Sequence, residues 1–294
     1  MEAVQPTDQP TKRVVFHQDD VGMCHGANRA FLELSALGVV TSGSVMVPCP
    51  WFPELAEAAA ADPTLDVGVH LTLTAEKPHY RWGPISGPAP SAGLTDPGGY
   101  FWRDVASVRR HADPDAVETE LRAQIDRALA AGIDVTHLDA HMGSSLAPEL
   151  CDVYIRLGTD YRVPILLSRT LAGYGPNKHL VGATEADHAR FVATASALGQ
   201  PIFDAVLETP FSRAVSDEPW PIYQALLGSV PEGLSFLALH PNAPGEVEVI
   251  EPGTSHIRTD EYEMFQRQDF RTWLDGQGFE FIGMRPLRDA LRAA

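Results

Sequence analysis

The sequence predicts an α/β fold, an irregular (β/α) barrel of about seven parallel strands in a single domain. Three observations point there. Apolar runs of strand length alternate with helix-length amphipathic segments along the chain. Neither a GxGxxG after the first strand nor a P-loop lysine is present, which weakens the nucleotide-binding open sheet. No internal repeat or shift in composition marks a second domain.

The elements follow in order. Residues 1–12 are polar and proline-bearing and predict a flexible N-terminus, leaving 13–294 as the barrel domain. Residues 13–17 (RVVFH) predict a strand; a helix follows over 25–37, with Ala27, Ala30, Phe31, Leu34 and Leu37 at helical spacing and Gly38 to end it. VVTSGSVMV predicts a second strand, Pro53 opens a helix through PELAEAAAA, and DVGVHLTL predicts a third strand. Residues 75–113, rich in Pro, Gly and aromatics, predict a long ordered loop. Asp113 as N-cap, Pro114 at the first helical position and Gly132 at the end frame a long helix. DVTHLDAH and VPILLSR predict strands on either side of the helix PELCDVYIRLG. Helices are expected near 184–199, 218–229 and 259–277, with strands DAVLET, LSFLALH and FEFIGM between and after them.

Composition narrows the function. Among 294 residues, 39 acids against 22 bases give a net charge of −17, which repels phosphate backbones and anionic lipid. Nucleic-acid and membrane partners are therefore not expected; a small molecule or oligosaccharide is. Three scattered cysteines form neither a disulfide framework nor a thiolate metal site. With no apolar signal core near the start, the expected location is cytoplasmic. Nothing in the sequence fixes an oligomeric state, and a homodimer stays open.

In a parallel barrel the chemistry gathers at the carboxyl ends of strands. Five predicted strand ends carry reactive groups: Asp19 and Asp20, His70, His141, Arg169 and His240. Singly, each reads more readily as a cap or a structural residue; together they make a constellation. Strand alternation puts His137, Asp139 and His141 on one face, so Asp139 lies where it can hold a histidine ring. One carboxylate and two histidines suit a divalent metal with open positions for water and substrate. Tyr80, Trp82 and Trp102 in the long loop either pack against sugar faces or pin the loop.

The segments HQDDVGMCHGAN, GVVTSGSVMV, VGVHLTLT, THLDAHMG and LALHP fall in an order that resembles the YdjC-like carbohydrate deacetylases, over about residues 12–292. The resemblance implies a barrel of the polysaccharide deacetylase kind and one divalent ion (Zn, Mg or Mn) held by Asp20, His70 and His141. It further implies Asp19 as general base, His240 near the leaving group, and Arg169 beside the base. The expected activity is removal of an acetyl group from an N-acetylated sugar. The alternatives are hydrolysis of a non-sugar amide or ester, or a degenerate sugar-binding barrel. Two departures stand out. Met142-Gly143-Ser144-Ser145 replaces the further histidines that often follow the Asp-x-His, and His17-Gln18 leads into the aspartate pair.

Overall fold

The computed structural model describes residues 12–174, 180 and 182–294; the expected flexible N-terminus lies almost wholly outside the described residues. Its centre is β1 (Lys12–Val21), whose Val14, Val15 and Phe16 are fully buried. Parallel strands flank it in the order β4 (Leu138–Ala140), β3 (Val67–Leu71), β2 (Ser42–Val45), β1, β6 (Gly233–Leu239), β5 (Ala205–Glu208). β7 (Phe279–Phe281) pairs with Lys12–Val14, sharing the edge of β1 that β2 takes up from His17 onward.

Helices cover the outside of this curled sheet. They are α1 (His25–Ala36), α2 (Phe52–Ala61), α3 (Val105–His111), α4 (Pro114–Ala130), α5 (Cys151–Asp160) and α6 (Glu185–Ala197), then α7 (Pro219–Gly228), α8 (Val247–Ile250), α9 (Ser255–Gln266), α10 (Gln268–Asp275) and α11 (Arg285–Ala293). Among the described residues, no helix is long and apolar enough to cross a membrane. Asp113 caps α4 as predicted, its carboxylate accepting from the backbone N–H of Asp115 and Ala116.

Four expectations need correction. The strand predicted at 163–169 is extended backbone making one bridge to each side, Leu138 with Ile165 and Ser168 with Phe203. It spans the gap between β4 and β5 and so completes the barrel loosely; Pro164 has no N–H to lend to a longer ladder. The strand over 134–141 shrinks to β4, because His141 already starts a tight 3₁₀ turn. The long loop ends earlier than predicted, since Asp104 caps α3 by accepting from Ser107 N–H. The single helix expected at 259–277 is two, broken at Arg267, whose φ −68° and ψ 132° are extended.

Strand alternation sorts the core into two layers. Outward residues such as Phe16, Val69 and Leu71 pack under the helices. Inside the barrel, Val15, Phe203, Val206, Phe236 and Met284 form an apolar plug. The His17 ring lies on Phe236, with centroids 4.6 Å apart, and begins a polar layer above that plug. Gly68 makes this layer possible: a Cβ there would fall 2.4 Å from the His137 ring.

Candidate active site

The polar layer opens at the carboxyl ends of the strands into a cavity of about 280 Å³. Asp19, Asp20, His70, His141 and His240 all line it. Two adjacent residues of a regular strand point to opposite faces, so Asp19 and Asp20 should not share a cavity. They do so because Asp20 is left-handed, with φ 60°, at a shift in the β1–β2 register between Gln18 and Val21. Gly22, at φ 84°, follows, and its N–H donates to Asn28 Oδ1 at 2.7 Å, holding the turn.

His17 and Gln18 now have distinct places. Gln18 faces away from the barrel interior, its amide donating to the carbonyls of Ala27 (2.8 Å) and Pro241 (3.1 Å). His17 faces inward. Its Nδ1 is 2.6 Å from Ser42 Oγ, and its Nε2 is 3.1 Å from Asp139 Oδ2 and 3.4 Å from Asp19 Oδ1. Asp139 also accepts from Ser44 Oγ at 2.8 Å and meets His70 Nδ1 at 2.9 Å. Burial opposes its charge, but His70 and His17 outweigh that and hold the carboxyl well below the usual range. With Asp139 ionised, the His70 proton sits on Nδ1. Nε2 then faces Asp20 Oδ1 at 3.5 Å; burial opposes charge on the ring, but Asp139 and Asp19 raise its affinity for a second proton, whose place a cation would take.

His141 is held from the other direction. Its Nε2 meets Glu76 Oε2 at 3.1 Å and its Nδ1 lies 3.0 Å from Asp20 Oδ1. Burial opposes charge on this ring, yet Glu76 and Asp20 raise it to about 9. The contacts continue into a closed ring of alternating charge. Glu76 pairs with Lys77 at 2.9 Å, Lys77 with Glu251, Glu251 with Arg258, and Arg258 Nη1 with Asp20 Oδ2 at 2.8 Å, returning to His141. Burial disfavours charge on Asp20, but Arg258 and His141 hold its carboxyl well below the usual range.

Three donor groups thus converge: Asp20, His70 and His141 are buried, with ligand atoms within 4.8 Å of one another. Asp20 Oδ1 is buried without a hydrogen-bond donor, the nearby His141 Nδ1 being out of line for one. An orphaned carboxylate oxygen facing two imidazole nitrogens fits a divalent cation. His17, His137 and Asp139 also cluster, but they fill the solid layer below. On the far side, Asp19 Oδ2 is 3.7 Å from His240 Nε2. Burial pushes the Asp19 carboxyl well above its usual range and the His240 ring well below.

Other predicted residues lie elsewhere. Arg169 does not reach Asp19: it is 58% exposed and donates to Asp204 Oδ1 at 2.8 Å. It falls at the end of the loosely bridged segment, where no regular ladder aims it inward. The guanidinium that lines the cavity is instead Arg258, on α9, and it pairs with Asp20. Tyr80, Trp82 and Trp102 pin the loop by donating to the carbonyls of Met23, Thr74 and Gly93, and none lines the cavity. The aromatic side chains that do are Tyr154, Tyr174 and Phe211. Strand-end reasoning missed Glu76, Glu251 and Arg258 because loops and helices supply them.

A family model described as YdjC-like protein matches residues 13–276. The chain belongs to the YdjC-like family. It is 41% identical over 162 residues to a protein of Thermus thermophilus named carbohydrate deacetylase, covering 55% of this chain and 56% of that one. A Brevibacillus brevis protein of the same name is 37% identical over 153 residues, covering 52% and 58%. The YdjC-like chain therefore aligns with little more than half the length of these curated relatives. A crystal structure of an Enterococcus faecalis protein, named for cellobiose-phosphate cleavage, superposes with TM-score 0.74 at 22% identity. That match covers 94% of this chain and 99% of the other, and it establishes the fold.

Proposed function

We propose that this YdjC-like chain is a metal-dependent hydrolase that removes an acetyl group from an N-acetylated sugar or small oligosaccharide. The observation that carries the reading is the pairing of each histidine with its own carboxylate. Asp139 takes the Nδ1–H of His70 and Glu76 faces Nε2 of His141, so the opposite nitrogens point to Asp20, where a bound cation would take the place of their protons. A divalent ion held there would polarise the acetyl carbonyl and acidify a water molecule.

The chain's own groups divide the remaining work. Arg258 occupies Asp20 Oδ2 and leaves Oδ1 as the ligand atom. Asp19, raised in proton affinity by burial, takes the proton of the attacking water. His240, on the far side of Asp19, gives a proton to the departing amine nitrogen as the C–N bond breaks. Phe211 and Tyr174 offer apolar faces to the substrate wall. The test is acetate release from N-acetylglucosamine oligomers after chelation and again after adding Zn²⁺, Mg²⁺ or Mn²⁺. Release restored by an ion and abolished by Asp20→Asn supports the reading. Release that ignores both overturns it.

A further inference from the structure

Glu261 is a fully buried carboxylate that the steps above leave unused. It sits on α9 one turn after Arg258, so the two share a helix face but serve different partners. Its Oε1 accepts from Thr209 Oγ1 at 2.7 Å and from the Tyr223 hydroxyl, and its Oε2 accepts from the His240 backbone N–H at 2.7 Å. Thr209 Oγ1 in turn lies 2.9 Å from His240 Nδ1. A hydroxyl has one proton to give. Once Thr209 donates it to the carboxylate, Thr209 can only accept from the ring, and the ring must carry its proton on Nδ1.

We infer that Glu261, acting through Thr209, is a positioning residue that fixes the tautomer of His240 and makes Nε2 the atom that transfers the proton. This rests on the deacetylase reading for its purpose, though not for its geometry. Nε2 is the nitrogen that faces Asp19 across the cavity. When Nε2 carries the added proton, that proton passes to the leaving nitrogen, which takes the C–N electron pair. The ring returns to its neutral Nδ1–H form. The Phe211 ring, 4.8 Å from the imidazole, restricts its swing. Burial raises the Glu261 carboxyl, its three hydrogen bonds lower it, and it titrates at about 7. The ionised, accept-only form therefore prevails only well above pH 7.

A purely structural role predicts something different, because the bonds to Tyr223 and to the His240 backbone would suffice to dock α9 on the barrel. Thr209→Val removes the hydroxyl, and with it the bonds to Glu261 Oε1 and to the ring, and keeps those two. Histidine ¹⁵N chemical shifts of the full-length protein, recorded well above pH 7, read the tautomer without any substrate. His240 should be Nδ1–H in the wild type and Thr209→Ser, and should lose that preference in Thr209→Val. An Nε2–H wild type, or a Thr209→Val protein unchanged in tautomer, overturns the inference. If wild-type protein releases acetate, Thr209→Val should lose roughly tenfold or more in kcat on the amide, with KM little changed. It should lose less than about threefold on an aryl acetate, whose leaving group needs no proton. Equal losses on both substrates contradict it. No acetate from the wild type would retire the deacetylase reading while leaving the tautomer result to stand alone.

Discussion

His70 and His141 flank the same oxygen of Asp20, yet they are held by different kinds of structure. His70 belongs to the strand-borne floor of the cavity, where Asp139, His17 and Ser44 sit on adjacent strands and exclude water. His141 belongs to a rim built from the loop after β3, the segment after α8, and α9, and stitched together by ion pairs. In the floor each polar atom is placed by the register of a parallel sheet. In the rim, long side chains from separate segments neutralise one another, and Glu76 and Glu251 retain some solvent exposure. The floor should therefore be rigid and insensitive to salt, and the rim adjustable and partly screened.

Replacing Asp139 with Asn should be the most damaging change away from the donors themselves. It removes the charge that His70 and His17 both face and turns one of their two acceptor oxygens into a donor, in a fully buried site. Metal affinity should fall about 10- to 100-fold or more, and stability by about 3 kcal/mol, as for a broken buried pair. Metal titration and denaturant unfolding check both. Glu76→Gln strikes the equivalent position in the rim and should cost about 10-fold in metal affinity, with little loss of stability. Raising salt should weaken the wild type more than it weakens this variant. If the two substitutions behave alike, floor and rim do not differ as described.

Glu261 gives a pH test outside both layers. Its carboxyl titrates at about 7 in the fold against 4.5 as a free side chain. Between those values the folded chain keeps a proton that the unfolded chain has released. This group's contribution to stability is therefore complete below about 4.5 and declines as pH rises through 7. Unfolding midpoints measured across that window should fall in the wild type and fall less in Glu261→Gln. The smallest effect is expected from Arg169→Ala: its exposed pair with Asp204 lies in neither region. Activity should be unchanged and stability should shift by no more than about 0.5 kcal/mol.

His70 and Asp139 of the floor were legible in the sequence because strands announce themselves, whereas the places of His17 and Ser44 beside them were not. Period-two alternation put His137, Asp139 and His141 on one face, and strand ends put Asp19, Asp20, His70 and His240 near one another. Of the rim, only His141 was legible. Arg258 sits in SHIRTDEYEMF, where nothing distinguishes it from an exposed helix residue, and Glu251 follows a helix of only four residues. Arg169 matched the strand-end rule but lies on the segment where the ladder is reduced to single bridges, so alternation there fixes no direction. The left-handed turn at Asp20 was hidden for another reason. A run of polar residues after an apolar strand reads as a turn, without showing which carboxylate is rotated into the cavity.

The division of labour between the adjacent aspartates is the central claim, and metal content measured alongside turnover tests it most directly. Asp20→Asn and Asp19→Asn proteins, confirmed as folded, should be assayed for bound divalent ion and for acetate release. Asp20→Asn should lose the ion and the activity together. Asp19→Asn should retain the ion and lose activity by about 10²-fold or more. Equal metal content with undiminished turnover in both variants would contradict the account.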